Sequence, residues 1–114
     1  MKNQEEFARE RFEFNRQKQT LKEQQQQRLT VTHNGGLFRV DMTLIVYLKQ
    51  SIMDAGLFGG ARKLIIPDSY ETPIEVDIEK LLKQCAERWA EVHNDWYNEY
   101  QELKGKRRVK DVEV

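Results

Sequence analysis

One segment limits what this chain can fold into more than any other. Ile78, Leu82, Cys85, Trp89, Val92 and Trp96 follow one another at spacings of 4, 3, 4, 3 and 4. That is the period of one face of an α-helix. Leu103 rejoins the row after a break at Glu99, and Leu81, His93, Tyr97 and Tyr100 widen it. Asp77 stands at the position of an N-cap, whose carboxylate can take a free backbone N–H of the first turn. A helix over 78–103 is about 39 Å long at 1.5 Å per residue. A chain of 114 residues has one modest core, too small to cover such a helix from end to end. The first half is expected to pack on the rest of the domain. The aromatic second half, WAEVHNDWYNEY, needs the N-terminal part of the chain or another molecule. Gly105 is the expected stop, leaving KRRVKDVEV as a short tail.

The N-terminal region has the composition to meet it. Residues 3–28 contain neither Gly nor Pro and are rich in Gln, Glu, Lys and Arg, so helix propensity is high. Phe7, Phe14 and Leu21 recur every seven residues, with Glu10, Gln17 and Gln24 between them. That is one apolar residue per heptad, where a coiled coil uses two. Such a seam requires a further surface to be stable.

Between the helices, VTHNGGLFRVD at 31–41 reads as a hairpin. Asn-Gly is the preferred pair where both central residues of a turn need positive φ. A turn at Asn34-Gly35 sets Val31 opposite Phe38 and Leu29 opposite Val40, gathering four apolar side chains on one face. A turn at Gly35-Gly36 keeps the same face, so the register stays open. Asp41 then caps a helix over 42–55, with Leu44, Ile45, Leu48 and Ile52 on one side and Gly56 as its stop. The β-branched TLIVYL within it is also compatible with a strand. GLFGG at 56–60 is a connection. Lys63–Ile66 and Ile74–Val76 flank PDSYETP as a second hairpin with a wider loop. An isolated hairpin is barely stable, so the two are expected to share one sheet.

The expected fold is therefore α+β: a long N-terminal helix, a small antiparallel sheet of two β-hairpins with a short intervening helix, and a long C-terminal helix packed on the sheet. The expected division is an N-terminal helical extension at 1–28, a core at 29–104 and a basic tail at 105–114.

Charge bears on function. The chain is neutral overall, yet residues 68–103 carry ten acidic and three basic side chains, and residues 104–114 carry five basic and two acidic. Two copies can attract each other head to tail, or the tail can fold back on its own domain. A broad basic surface, which a general nucleic-acid binder needs, is missing. Lys106, Arg107, Arg108 and Lys110 remain as possible phosphate or acidic-partner contacts, although positive charge also simply suits a helix C-terminus.

Tests for chemistry return little. GLFGGARK lacks the spacing of a phosphate-binding loop, and its glycines follow a helix where they would have to precede one. The single cysteine, Cys85, sits on the apolar stripe and reads as a small core residue. Cys85 and His93 are too far apart to chelate one ion alone, so no metal or cofactor is expected. Acidic pairs on the last helix read as a solvated face. No catalytic residue is assigned. No apolar run is long enough to span a membrane, and the N-terminus lacks the apolar stretch of a signal peptide. These features point to the cytoplasm or a particle assembled there.

The order FNRQKQTLKEQQQQRL at 14–29, NGGLFRVDMTLIVYL at 34–48, DSYETPIEVD at 68–77 and HNDWYNEYQELKGKRR at 93–108 resembles that of small proteins of contractile-tailed phages, of the marine cyanophage type. The resemblance spans most of the chain and implies a virion or assembly component of tail, neck or baseplate. Such a protein is made in the host cytoplasm and carried in the particle. The resemblance brings no catalytic residues. The expected function is non-enzymatic: docking on itself or other subunits through the long helices. Phe7, Phe14, Leu21, Trp89, Trp96, Tyr97 and Tyr100 are the expected anchors, because aromatic side chains dominate interfaces. The alternatives are a nucleic-acid-associated regulator and a small phage inhibitor of a host protein.

Overall fold

A computed structural model describes residues 3–54 and 62–112, with side chains as far as Lys106. The order is α1 (Gln4–Gln27), β1 (Thr30–His33), β2 (Gly36–Arg39), α2 (Met42–Met53), β3 (Lys63–Pro67), β4 (Pro73–Asp77) and α3 (Ile78–Val112). The fold is α+β, with the expected elements in the expected order. The chain forms two compact units, one of residues 29–91 and one of residues 1–28 with 92–114.

In the unit 29–91, the first hairpin turns at Asn34 and Gly35, with φ of 48° and 81°. Both central residues are thus in the left-handed region that this turn demands. Val31 pairs with Phe38 and His33 with Gly36, which decides the register left open above. Leu29, Val31, Phe38 and Val40 are all buried, on the predicted face.

The second hairpin pairs Lys63 with Asp77 through to Pro67 with Pro73. The two hairpins do not form one sheet: each pairs only with itself. The reason lies in how the free edge of β2 is satisfied. Leu37 accepts from the N–H of Ser69 at 2.8 Å, and its own N–H donates to Asp68 Oδ2 at 3.1 Å. The loop of one hairpin thereby occupies edge groups of the other that a strand would otherwise take. Pro67 and Pro73 close the tip of the second ladder, where proline has no N–H to offer a further strand. Gly36 completes the junction. A Cβ there would stand 2.7 Å from Ile74 Cγ1, so only glycine lets the hairpins approach this closely.

Residues 42–53 are helix, capped by Asp41, which accepts from Leu44 N–H at 2.7 Å. The buried side is Leu48 and Ser51, flanked by Leu44 and Ile45. Ile52, assigned to that side from its spacing, is more than one-third exposed. Ser51 is satisfied inside the helix, its hydroxyl donating to the Tyr47 carbonyl. Met42, Val46 and Met53 lie exposed. The helix ends at Asp54, so the expected stop at Gly56 and the GLFGG connection lie outside the described residues.

Asp77 caps α3 as expected, accepting from Lys80 N–H. Ile78, Leu81, Cys85 and Val92 are fully buried, whereas Leu82 and Trp89 are half-buried. The inward row therefore runs through Leu81 rather than Leu82. Gly105 does not end the helix, which continues to Val112. A Cβ at Gly105 would meet nothing, and its φ is not positive. The residue serves as an ordinary helical position at a propensity cost of about 1 kcal/mol, and the basic residues from 106 to 110 belong to α3 rather than to a separate tail.

α1 begins at Asn3, whose side chain accepts from Glu6 N–H at 2.8 Å. It is polar along most of its length. Among its described residues only Gln25 is buried.

Candidate functional site: an aromatic cleft in the helical unit

The residues singled out as interaction anchors fall into three groups. In the unit of 1–28 with 92–114, Phe14 and Tyr100 meet with ring centroids 6.5 Å apart, tilted by 55°. Trp96 stacks near His93 at 5.7 Å and 51°. Leu21 is half-buried. Tyr97 stands 64% exposed. Phe7 is not drawn into this group: it lies 56% exposed near the start of α1. Trp89 belongs to the other unit, half-buried on α3. Of the basic candidates, Lys106 is exposed on α3, and the side chains of Arg107, Arg108 and Lys110 lie outside the described residues.

His93, Trp96, Tyr97 and Tyr100 share one side of α3 because three and four residues bring a helix back to the same face. With Lys18 of α1 they line an open cleft of about 380 Å³. Its walls are aromatic, and Lys18 supplies a cation at its edge. Arg11 and Lys22 fall within about 40° of Lys18 around α1 at 3.6 residues per turn. Lys104 falls on the aromatic side of α3 by the same count. Among the described residues Arg11, Lys18, Lys22 and Lys104 form no ion pair.

The opposite side of α3 has a different character. Asp95, Asn98, Glu99 and Glu102 cluster there, about half a turn from the aromatic row. Arg28 reaches Asp95 at 2.9 Å and also donates to Gln25 Oε1 at 2.8 Å. Gln25 in turn donates to Glu99 Oε2 at 2.8 Å. This chain of polar contacts joins the end of α1 to α3. It explains why a glutamine is the buried residue of α1: its amide is satisfied on both atoms. Asn98 and Glu102 remain exposed.

In the unit 29–91, Cys85, His33 and Asp68 are held by burial or by hydrogen bonds. Burial, with a smaller contribution from the Asp41 charge, pushes the Cys85 thiol up to about 11. It is therefore a thiol and not a thiolate at neutral pH. His33 Nε2 accepts from the Asp77 N–H at 3.2 Å. The imidazole proton then sits on Nδ1, which faces Gln84 Oε1 at 2.7 Å. Gln84 also donates to the Thr32 carbonyl, so this histidine ties the first hairpin to α3. Asp68 accepts from Thr72 and Tyr70 through Oδ1 and from Leu37 through Oδ2. The Thr72 N–H, then those of Leu37 and Tyr70, hold its carboxyl below the usual range against a partial opposing effect of desolvation. Among the described residues no group of three His, Cys, Asp or Glu side chains is placed to hold a metal ion, and no helix is long and apolar enough to cross a membrane.

The aromatic half of the cleft was visible in the sequence as the widened stripe on the last helix. Lys18 was not, since nothing local distinguishes it from the other six basic residues of 1–28. Gln25 and Asn3 were also missed, and Asp68, readable as a turn residue that bonds its own loop, was not foreseen to reach Leu37. Their roles depend on partners that no hydrophobic period reveals. Comparison with protein-family models, characterised proteins and solved structures finds no match.

Proposed function

We propose that this protein is a non-enzymatic assembly subunit that docks on other protein subunits through its helical unit. The observation that carries the reading is the cleft of Lys18, His93, Trp96, Tyr97 and Tyr100, with Tyr97 64% exposed at its rim. A small chain gains nothing for its own stability by holding a large aromatic side chain in water. Aromatic side chains in such a setting are the usual centres of protein interfaces, because they bury much area at little entropic cost. The other unit supplies its own core and holds α3 by its first turns. The resemblance of the motif order to small proteins of contractile-tailed phages gives the proposal a setting, a virion or its assembly in the host cytoplasm.

The test is co-purification. The native chain is expected to elute with protein partners, its own copies among them, as identified by light scattering and mass spectrometry. A Trp96→Ser/Tyr97→Ser variant should lose those partners while residues 29–91 stay folded. A strictly monomeric native chain that retains no protein would overturn the reading. Retention on DNA or RNA at low salt, lost on neutralising Lys106, Arg107 and Arg108, would replace it with the nucleic-acid alternative.

A further inference from the structure

We propose that the helical unit is self-complementary, with the aromatic–basic side of one copy docking on the acidic side of α3 in a second copy. The inference rests on the docking reading above and names its partner. Three observations lead to it. First, the cleft is edged by Lys18, and Arg11 and Lys22 share that flank of α1 without an ion pair among the described residues. Lys104 adds a further cation on the aromatic side of α3. Second, the reverse side of the same helix carries Asp95, Glu99 and Glu102, and Asn98 and Glu102 are exposed there with no bond to another described side chain. Third, the whole chain carries 19 basic and 19 acidic side chains. Within the helical unit the balance is close, twelve basic against ten acidic side chains, so copies approach without strong net repulsion.

An acidic helix face is the occupant that this cleft fits. The Glu102 carboxylate reaches the cations at the rim, while its alkyl stem lies over the aromatic rings. Nucleic acid fits less well, because the negative side of α3 lies half a turn away and the basic flank is short. The two complementary sides face different directions. Docking is therefore heterologous, and it builds a ring or an open stack rather than a pair closed by one contact. That geometry suits a subunit of a larger assembly.

The experiment uses two charge-reversed full-length variants. Lys18→Glu/Lys22→Glu reverses the basic rim, and Asn98→Lys/Glu102→Lys reverses the acidic side. None of these four residues makes an internal bond that the change would break, and circular dichroism of each variant checks its fold. Sedimentation velocity is expected to show the native chain associated at low ionic strength and dissociating as sodium chloride is raised. Each variant alone should be at least about tenfold weaker in self-association. An equimolar mixture should regain native-like association, since each reversed side then meets its complement. Tyr97→Ser should weaken association by at least about tenfold with no dependence on which charge is reversed.

Association of both single-side variants at native strength would overturn the proposal while leaving docking through the helical unit intact. So would a native chain that is monomeric at low salt yet still captures another protein. A monomeric native chain that captures none would overturn both readings. Tight binding of a fluorescent oligo-dT to the Lys18 rim would overturn self-docking in favour of nucleic acid.

Discussion

The two units of this molecule are stabilised in different ways. Residues 29–91 hold nearly all the fully buried apolar side chains: Phe38, Val40, Leu48, Val76, Ile78, Leu81 and Cys85 are each at most 2% exposed. They come from both hairpins, α2 and the first turns of α3, so this unit has a core of its own. In the unit of 1–28 with 92–114, Val92 is the buried apolar side chain among the described residues. The rest is half-buried aromatics and a polar chain through Arg28, Gln25, Asp95 and Glu99. A unit with so little buried area leaves its aromatic surface partly open, and that is the surface the docking proposal uses. The difference teaches where to look for function: in the part of the chain that folds with its apolar surface incompletely covered.

The comparison can be broken by substitution. Leu48→Ala should cost about 2–5 kcal/mol in urea denaturation, because it leaves a cavity in the self-contained core. A loss below about 1 kcal/mol would mean that the core is not where the burial places it. Gly36→Ala comes next, at about 1–3 kcal/mol, since the new methyl must push Ile74 aside and separate the hairpins. Arg28→Ala, in the other unit, should cost about 1–2 kcal/mol: its half-exposed pair with Asp95 contributes little, and most of the loss comes from leaving the buried Gln25 Oε1 without a donor. Tyr97→Ser should change stability of the unassociated chain by less than about 0.5 kcal/mol. A large loss from either of the last two would show that the helical unit has a core after all.

A pH titration sharpens the contrast within the first unit. The Asp68 carboxyl titrates below its ordinary value of 3.8 in the folded state because backbone N–H groups bond its anion. Its contribution is present above that value and is lost as pH falls through the folded-state pKa. The thermal midpoint of the native chain should therefore drop over the acid range. In Asp68→Asn that part of the drop should be absent. The variant should also be less stable at neutral pH, since an amide nitrogen cannot accept from Leu37 or Thr72 as both carboxylate oxygens now do.

Legibility in the sequence followed the same division. The first hairpin was readable down to its face, because Asn34-Gly35 demands one backbone shape and strand side chains alternate strictly. The helices were readable from spacing, but spacing could not choose between Leu81 and Leu82, which lie on adjacent rows of the same stripe. The separation of the two hairpins was not readable. It depends on Asp68 and Ser69 reaching Leu37 across thirty residues of chain, and on the space beside Gly36. Gly105 misled because glycine ends helices only where a left-handed residue is required, and here it is not. In the cleft, the aromatics announced themselves by period. Lys18 and the Gln25–Glu99 bond did not, because long polar side chains find partners that sequence distance hides.

The claim that one unit is self-sufficient and the other is completed by association is tested most directly by amide hydrogen exchange of the full chain at low and high protein concentration. Amides of residues 92–104 and of α1 should become more protected as concentration rises, while those of 29–54 and 62–91 stay unchanged. Exchange independent of concentration throughout, or a rise in protection confined to 29–91, would contradict the account.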